Sequence, residues 1–342
     1  MERSLRGVQL ESGYKDSRNF EEPRRAQPSE PETAPPFTAT RVKAEANRLG
    51  FSACAITSLD PLPHREELDR WLASGKAGTC RYLHRQARKR KNPQAADPSA
   101  RRAIVVLDNY YYDVTEDTAR PKVARYARGQ DYHAVTLRRL HLLADFLRHN
   151  GAKTARPYTD SGPLAERELA QRAGLGWIGK NTMLIRPGQG SWVFIGTVLT
   201  DLDLEIDKPL ETDHCGSCTR CLEACPTQAF DAPRVLDATR CISYLTIEHR
   251  GPIPAELVDQ FEGWSFGCDI CNEVCPWNIR FASESSVPEF RPRGALAEAG
   301  PEFFEELDEP EFEAQFGDTP LQRPGLDRMR RNWRAAWTSL RP

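Results

Sequence analysis

Eight of the ten cysteines lie between Cys215 and Cys275, and this clustering constrains the fold more than any other feature of the 342-residue chain. The other two, Cys54 and Cys80, stand alone. Disulfide frameworks are typical of small secreted domains, whereas clustered cysteines in a long chain more often bind metal. The stretch is also punctuated by glycine and proline, as expected where metal coordination replaces much of a hydrophobic core. The sequence therefore predicts a metal-binding module.

The cysteine spacing specifies the kind of metal centre. The first motif, C-x2-C-x2-C-x3-C-P, consists of Cys215, Cys218, Cys221, Cys225 and Pro226. In bacterial ferredoxins this run wraps three cysteines around one [4Fe–4S] cluster, while the fourth ligates the neighbouring cluster. The second motif lacks one thiolate, which an upstream cysteine can supply. Its members are Cys268, Cys271, Cys275 and Pro276, with Cys241 as the supplement.

The crossing of the fourth cysteines divides the eight ligands into two sets. One cluster is predicted on Cys215, Cys218, Cys221 and Cys275, and the other on Cys225, Cys241, Cys268 and Cys271. Two zinc sites are the alternative, but structural zinc favours separate C-x2-C pairs and gives no reason for the third cysteine or for the prolines. We therefore expect two [4Fe–4S] clusters, and hence a redox protein.

The remaining sequence is long enough for a second domain. Helical patterns alternate with apolar runs typical of strands, which indicates an α/β (α+β) domain. Helices are predicted near 38–49, 64–74, 132–149 and 163–173, and strands near 51–57, 103–107, 153–156, 183–185 and 192–200. We predict a disordered, proline-rich tail at 1–37, the α/β domain at 38–207, a bacterial-ferredoxin-like double-cluster domain at 208–282 and short C-terminal helices at 283–342.

Composition excludes some classes of protein and leaves one charged segment to explain. No apolar run approaches the roughly 18 residues that span a bilayer, and the N-terminal residues lack the apolar core of a secretory signal. We therefore expect a soluble, cytoplasmic protein.

The net charge is only -2, but a basic stretch contains Arg81, Arg85, Arg88, Lys89, Arg90, Lys91, Arg101 and Arg102. Such a run either binds a polyanion or forms a solvated helix face.

Two further segments carry candidate chemistry. Asp160 and Ser161 precede a predicted helix, where both are ordinary N-cap residues, so sequence alone favours capping. Residues 174–181, G-L-G-W-I-G-K-N, match parts of two phosphate-binding patterns, but they follow a helix, and Asn181 replaces the Ser or Thr that would hold Mg²⁺. A helix C-cap and tight turn is the alternative interpretation. Lys180 remains available for an anionic group.

One histidine motif gives only a partial match to a known pattern. Asp131-Tyr132-His133 begins the D-x-H-x-x-G signature of some cobalamin proteins, but Thr136 stands where the glycine would be. His133 is therefore predicted to be a structural or surface histidine.

Three segments together with the cysteine motifs resemble epoxyqueuosine reductases. They are Y-A-R-G-Q-D-Y-H at 126–133, the run from Asp160 to Asn181, and T-P-L-Q-R at 319–323 with the later Arg331-Asn332. The resemblance covers roughly residues 38–340. It implies the reduction of epoxyqueuosine to queuosine at the wobble position of tRNA, with cobalamin fed by two [4Fe–4S] clusters.

The resemblance also implies roles for individual residues. Asp160 corresponds to the family's proton donor, which replaces the capping interpretation. Asp160, Arg167, Lys180 and Asn181 fall on positions expected to line the corrin of cobalamin, which the family holds without a histidine below the cobalt. The implied partners are a tRNA with a queuosine-type anticodon, whose phosphates the 81–102 stretch could bind, and an external donor of the flavodoxin or ferredoxin type. We expect a monomer without membrane attachment.

Two other interpretations differ in class. A corrinoid reductive dehalogenase also pairs cobalamin with two clusters, but those enzymes commonly carry twin-arginine export signals, and Arg24-Arg25 is not followed by an apolar segment. The second interpretation is an electron-transfer protein that catalyses no reaction itself, and such a protein would bind no corrinoid.

Overall fold

The computed structural model describes residues 37–114, 117–296 and 299–341. Apart from Phe37, the predicted tail at 1–37 lies outside these ranges. Helices and strands are numbered in chain order. The region up to residue 207 contains α1 (Ala39–Arg48), β1 (Ala53–Ser58), α2 (Arg65–Ala73), α3 (Arg81–Lys91), β2 (Arg102–Asn109), β3 (Lys122–Val123), α4 (Tyr132–His149), β4 (Ala155–Thr159), α5 (Glu166–Arg172), β5 (Trp177–Ile178), β6 (Leu184–Ile185) and β7 (Val193–Thr200).

A four-stranded sheet in the order β1-β2-β7-β4 forms the centre of this region, and each neighbouring pair is antiparallel. In the register, Ile104 of β2 lies opposite Ile56 of β1 and Val198 of β7. One face of the sheet packs against α5, and the other packs against α1 and α4. Because both faces of β2 are covered, its sequence is a continuous apolar run instead of an alternating one.

The predicted α/β class is confirmed, and most elements lie close to their predicted positions. The alternation of helices and strands did not specify strand direction, and the sheet is antiparallel. The strand predicted at 153–156 begins later, as β4, and ends immediately before Asp160. The sequence offered a solvated helix face as only one interpretation of the basic stretch that contains α3, because this segment has no fully buried residue and so lacks a clear apolar stripe.

Short elements joined by loops form the cysteine segment. They are α6 (Arg220–Glu223), β8 (Phe230–Ala232), β9 (Val235–Leu236), α7 (Ile242–Ile247), α8 (Ala255–Val258), β10 (Trp264–Phe266), α9 (Ile270–Glu273) and α10 (Pro276–Phe281). Strand β10 pairs in parallel with β3, which attaches the segment directly to the preceding region. The domain boundaries proposed at 207/208 and 282/283 stay predictions.

The C-terminal helices are α11 (Phe303–Glu306), α12 (Glu309–Phe316) and α13 (Leu326–Ser339). Helix α13 is amphipathic as predicted, although at 14 residues it is not short, and α11 and α12 bury Phe304, Phe312 and Phe316. Met329 and Trp333 of α13 are buried in one cluster with Phe266 of β10. The buried Asn332 amide donates a 2.7 Å hydrogen bond to the Thr246 carbonyl at the end of α7. The last helix therefore helps to hold the cysteine segment in place.

Candidate active site

Turns and the ends of short helices position the eight clustered cysteines. Cys221 lies in α6, Cys271 lies in α9, and Cys275 is the N-cap residue of α10, with Pro276 at its first position. Proline suits that position because its missing N–H would have no helical partner. The turns bring cysteines that are distant in sequence close together.

The electrostatic neighbours of each thiol identify two groups. Burial raises the pKa of Cys221 to about 11, and the charges of Cys215, Cys275 and Cys218 add to this effect. In the second group, burial raises the pKa of Cys268, with further contributions from Cys271 and Cys241. Cys225 is likewise a neighbour of Cys241 and of Cys271, and Cys271 also lies near Cys221 of the first group. These groups support the predicted partition, in which Cys275 crosses to the first motif and Cys225 crosses to the second.

Two of the cysteine sulfurs accept hydrogen bonds from N–H groups: the Trp177 indole donates to Cys215 Sγ at 3.4 Å, and the Ala229 amide donates to Cys225 Sγ at 3.3 Å. Such hydrogen bonds tune cluster potentials.

The glycine-rich segment at 174–181 supports the cysteine loops. Gly174 follows α5 with φ of +77°, and the residues from 178 to 184 turn between β5 and β6, so the helix C-cap and tight turn are confirmed. Lys180 Nζ donates to the carbonyls of Gly216 (2.7 Å) and Cys218 (3.0 Å). The buried Asn181 amide donates to the Cys271 carbonyl at 3.3 Å. Each of the two side chains thus contacts a different cysteine motif, and their contact with cobalamin stays a prediction.

Asp160 lies immediately after β4 in a left-handed backbone conformation, with φ of 51°. Its carboxylate Oδ2 accepts hydrogen bonds from the Tyr132 hydroxyl at 2.7 Å and from His133 Nε2 at 3.3 Å. The other ring nitrogen of His133 lies 2.8 Å from Asp131 Oδ1. Helix α5 begins after Ala165, so neither Asp160 nor Ser161 caps it, and the capping interpretation is wrong.

The histidine between the two carboxylates holds a proton at neutral pH. Burial lowers the pKa of His133, but its hydrogen bonds with Asp131 and Asp160 outweigh this effect and raise the pKa to about 9. Burial raises the pKa of Asp160, but the hydrogen bonds from His133 and Tyr132 outweigh it and lower the pKa to about 2. The Asp160 side chain is nevertheless 65% exposed. Because the carboxylate is accessible to solvent and yet contacted by Tyr132 and His133, we infer that it lines an open cleft.

A second acid lies beside the first. Glu166 Oε1 accepts a 2.8 Å hydrogen bond from the backbone N–H of Asp160. Burial, and then the negative charge of Asp160, raises the pKa of Glu166 to about 8. Two carboxyl groups in one cleft therefore have pKa values pushed in opposite directions, an arrangement typical of acid–base sites.

Arg90 holds the segment that carries Asp160, and Arg167 follows that segment in the chain. Arg90 of α3 donates to the carbonyls of Leu164 (2.6 Å) and Gly162 (3.2 Å). Arg167 donates to the Thr182 carbonyl at 2.6 Å and is exposed in the same cleft. The sequence interpretation assigned no role in this site to Arg90, Glu166 or His133. The only sequence signal for a role of His133 was the partial D-x-H motif.

We expect His133 to make the stability of the fold depend on pH. A pKa raised from 6.5 to about 9 contributes stability that is complete below pH 6.5 and is lost as pH rises through about 9. Because the side chain is 38% exposed, the effect should be that of a surface ion pair, about 0.2–1 kcal/mol. Urea unfolding of wild type and His133→Gln at a series of pH values measures it. If the difference in free energy of unfolding between the two proteins does not change as the pH passes 9, the assignment is contradicted.

None of the helices in the described ranges combines the length and the apolar character that a membrane span requires.

The cysteine arrangement and the acid–base cleft define an iron–sulfur oxidoreductase. Residues 214–278 match the family described as a 4Fe-4S double cluster binding domain. Residues 90–161, which include α4, β4 and Asp160, match the family described as epoxyqueuosine reductase QueG.

Similar proteins extend this match over most of the chain. The epoxyqueuosine reductase of Xanthomonas campestris is 43% identical over 87% of this chain and 86% of its own length. That of Cellulophaga algicola is 38% identical over 85% of this chain and 95% of its own length. The chain therefore belongs to the epoxyqueuosine reductase family, and the resemblance found in the sequence is confirmed.

Solved structures of the family share the fold. A crystal structure of epoxyqueuosine reductase with an epoxyqueuosine-modified tRNA-Tyr stem loop has a TM-score of 0.79 and 30% identity, covering 88% of this chain and 81% of that one. The Bacillus subtilis enzyme, captured with its catalytic aspartate loop swung out of the active site, has a TM-score of 0.77 and 30% identity over the same shares.

Proposed function

We propose that this enzyme reduces epoxyqueuosine to queuosine at the wobble position of tRNA, with Asp160 and His133 acting together as the proton source. The observation that carries the proposal is the His133 imidazole, which lies within hydrogen-bond distance of both Asp131 and Asp160 in an open cleft. The related crystal structure with an epoxyqueuosine-modified tRNA stem loop supports the same substrate.

The proton balance of the reaction suits this cleft. Removing the epoxide oxygen breaks two C–O bonds, forms a C=C bond, takes up two electrons and two protons, and releases water. Asp160 itself is ionised at neutral pH, so we infer that it passes on a proton held by His133. Glu166, whose pKa is about 8, is the candidate for holding the second proton. A positioned acid typically contributes about 10²–10⁴-fold to the rate.

Cobalamin is the proposed cofactor in this cleft. Both ring nitrogens of His133 are engaged by carboxylates, which fits a cofactor held without a histidine ligand. Arg167 lines the cleft, and we infer that it, with Asp160, Lys180 and Asn181, would hold the corrin. When bound, cobalamin supplies a cobalt centre that, once reduced, is a strong nucleophile or reductant.

The cleft and the cysteine segment are connected by aromatic contacts. Phe266 lies two residues before Cys268, and its ring centroid is 6.0 Å from that of Tyr126. The Tyr126 ring is in turn 6.0 Å from Tyr132, which donates to Asp160. We infer that electrons pass from the clusters to the cleft over this short route. An external donor of the flavodoxin or ferredoxin type would supply them to a cytoplasmic monomer.

The test is nucleoside mass spectrometry on epoxyqueuosine-containing tRNA after anaerobic incubation with reconstituted protein, cobalamin and reductant. We expect a cobalamin-dependent loss of the mass of one oxygen atom. No conversion despite intact clusters and bound corrinoid would indicate another corrinoid reductase. Failure to bind any corrinoid would indicate an electron-transfer protein.

Arg90 is expected to keep the Asp160 loop in place. Arg90→Met should retain both clusters, speed amide exchange at 160–165 and lower turnover about 10- to 100-fold, because a misplaced catalytic group loses its orientation. Lys91→Met is the matched control, since Lys91 is on the same helix but pairs with Asp69, away from the loop. Equal exchange rates in the two variants would contradict a clamping role.

A further inference from the structure

The exposed face of α3 carries three arginines without an acidic partner. Arg81, Arg85 and Arg88 are spaced i, i+4 and i+7, so they share one face of the helix, with His84 between them. All four side chains are exposed. In the part of the chain that the structure describes, no carboxylate pairs with these three arginines, whereas Lys91 at the end of the same helix pairs with Asp69.

This arrangement is unfavourable for the helix by itself. Like charges four residues apart repel one another, and the sequence of α3 contains no acidic residue to offset them. Arg81 also occupies the first position, where the helix dipole already places positive charge. A bound anion would relieve both effects.

The remaining surface of α3 faces the proposed catalytic cleft. Arg90 holds the Gly162 and Leu164 carbonyls, beside Asp160. Tyr82, next to Arg81, is half-buried, and Asp160 is among the charges that act on its hydroxyl. The row of arginines therefore lies on a helix that forms one wall of the cleft.

We propose that Arg81, Arg85 and Arg88 bind consecutive phosphates of the RNA substrate at the rim of the cleft. The inference rests on the proposed function and adds the surface that receives the RNA backbone. At 1.5 Å per residue, the helix rises about 10 Å from Arg81 to Arg88. In a DNA duplex the charges of one strand are about 3.4 Å apart along the axis, so a row about 10 Å long can contact several phosphates of one strand.

The test measures binding without turnover. A fluorescently labelled RNA stem-loop with a queuosine-type anticodon is titrated with holoenzyme over a range of salt concentrations. Each phosphate contact contributes about 0.7 to the slope of log K against log salt for single strands. The triple variant Arg81→Gln, Arg85→Gln, Arg88→Gln should lose about two units of slope, and about 100-fold in affinity near 0.1 M salt.

A control variant removes the same charge elsewhere. Arg70, Arg148 and Arg334 are exposed but pair with Glu67, Asp145 and Glu305. Their triple replacement by glutamine should keep the wild-type slope, and iron content and circular dichroism verify that both variants fold. Equal loss of slope in the two variants would overturn the assignment to α3.

The other outcomes separate this surface from the proposed function. If wild type binds the stem-loop and the α3 variant keeps the same slope, the surface is wrong and the function stands. If wild type does not bind the stem-loop, the proposed function fails and this surface with it. If RNA binding is unchanged but reduction of the clusters by flavodoxin slows, the face binds an acidic protein and the RNA assignment is overturned.

Discussion

Asp160→Asn should lower turnover by about 10²–10⁴-fold, while the variant keeps both clusters and still binds cobalamin, which Arg167, Lys180 and Asn181 would also hold. Asparagine has the same shape and also tolerates the left-handed conformation that residue 160 adopts, so the backbone at φ of 51° should not change. What is lost is the carboxylate that accepts from Tyr132 and His133 and relays a proton. Single-turnover conversion of modified tRNA, followed by mass spectrometry, measures the effect.

Asp160→Asn should also lower the pKa of His133. Without the Asp160 charge, one of the two interactions that raise the pKa of His133 is lost, so that pKa should fall from about 9. Histidine NMR titration reports this change independently of activity. Asp145→Asn, on an exposed part of α4, is the control and should change neither quantity. Full activity in Asp160→Asn would remove Asp160 from the mechanism.

Serine in place of any one of the eight clustered cysteines should abolish turnover, because electrons could no longer reach the cleft through two intact clusters. The informative result is the iron content of paired variants. Cys218→Ser with Cys275→Ser affects one predicted cluster, so iron should fall from about eight to about four atoms per chain. Cys218→Ser with Cys268→Ser affects both clusters and should remove nearly all the iron.

The paired variants test the crossed arrangement directly. If each motif instead bound its own cluster, the pair Cys218 and Cys275 would affect two clusters and remove nearly all the iron. Cys54→Ser is the control, because Cys54 lies outside both motifs and burial raises its pKa to about 12, which makes it an unreactive thiol. Its iron content should equal that of wild type.

The cluster motifs could be predicted from sequence because their information is local. The ligands of each motif are three or four residues apart, so the spacing alone indicates how the backbone turns around iron. The supplementary Cys241 and the crossing required a rule for paired clusters, and the neighbours of Cys221 and Cys268 support that rule. The α/β class was also predictable, since buried strands and amphipathic helices differ in apolar period.

The acid–base site was less accessible to sequence reasoning. Asp160 appeared to be a helix cap by local pattern and was assigned a chemical role only through the family resemblance. His133, Glu166 and Arg90 lie on different elements, and their significance depends on contacts between α4, α3 and the loop after β4. Hydrogen bonds between elements distant in sequence leave no periodic signal.

The sequence by itself determined the mixed α/β class, from apolar periodicity, and the family, from its matching segments, and it predicted the cysteine ligands from their spacing. Only the tertiary structure decided the pKa values of the acid–base groups around His133. A histidine ordinarily half-protonated near pH 6.5 holds its proton to about pH 9 only because β4 and α4 bring two carboxylates against it. Such pKa shifts depend on distance and burial, which are properties of the folded chain.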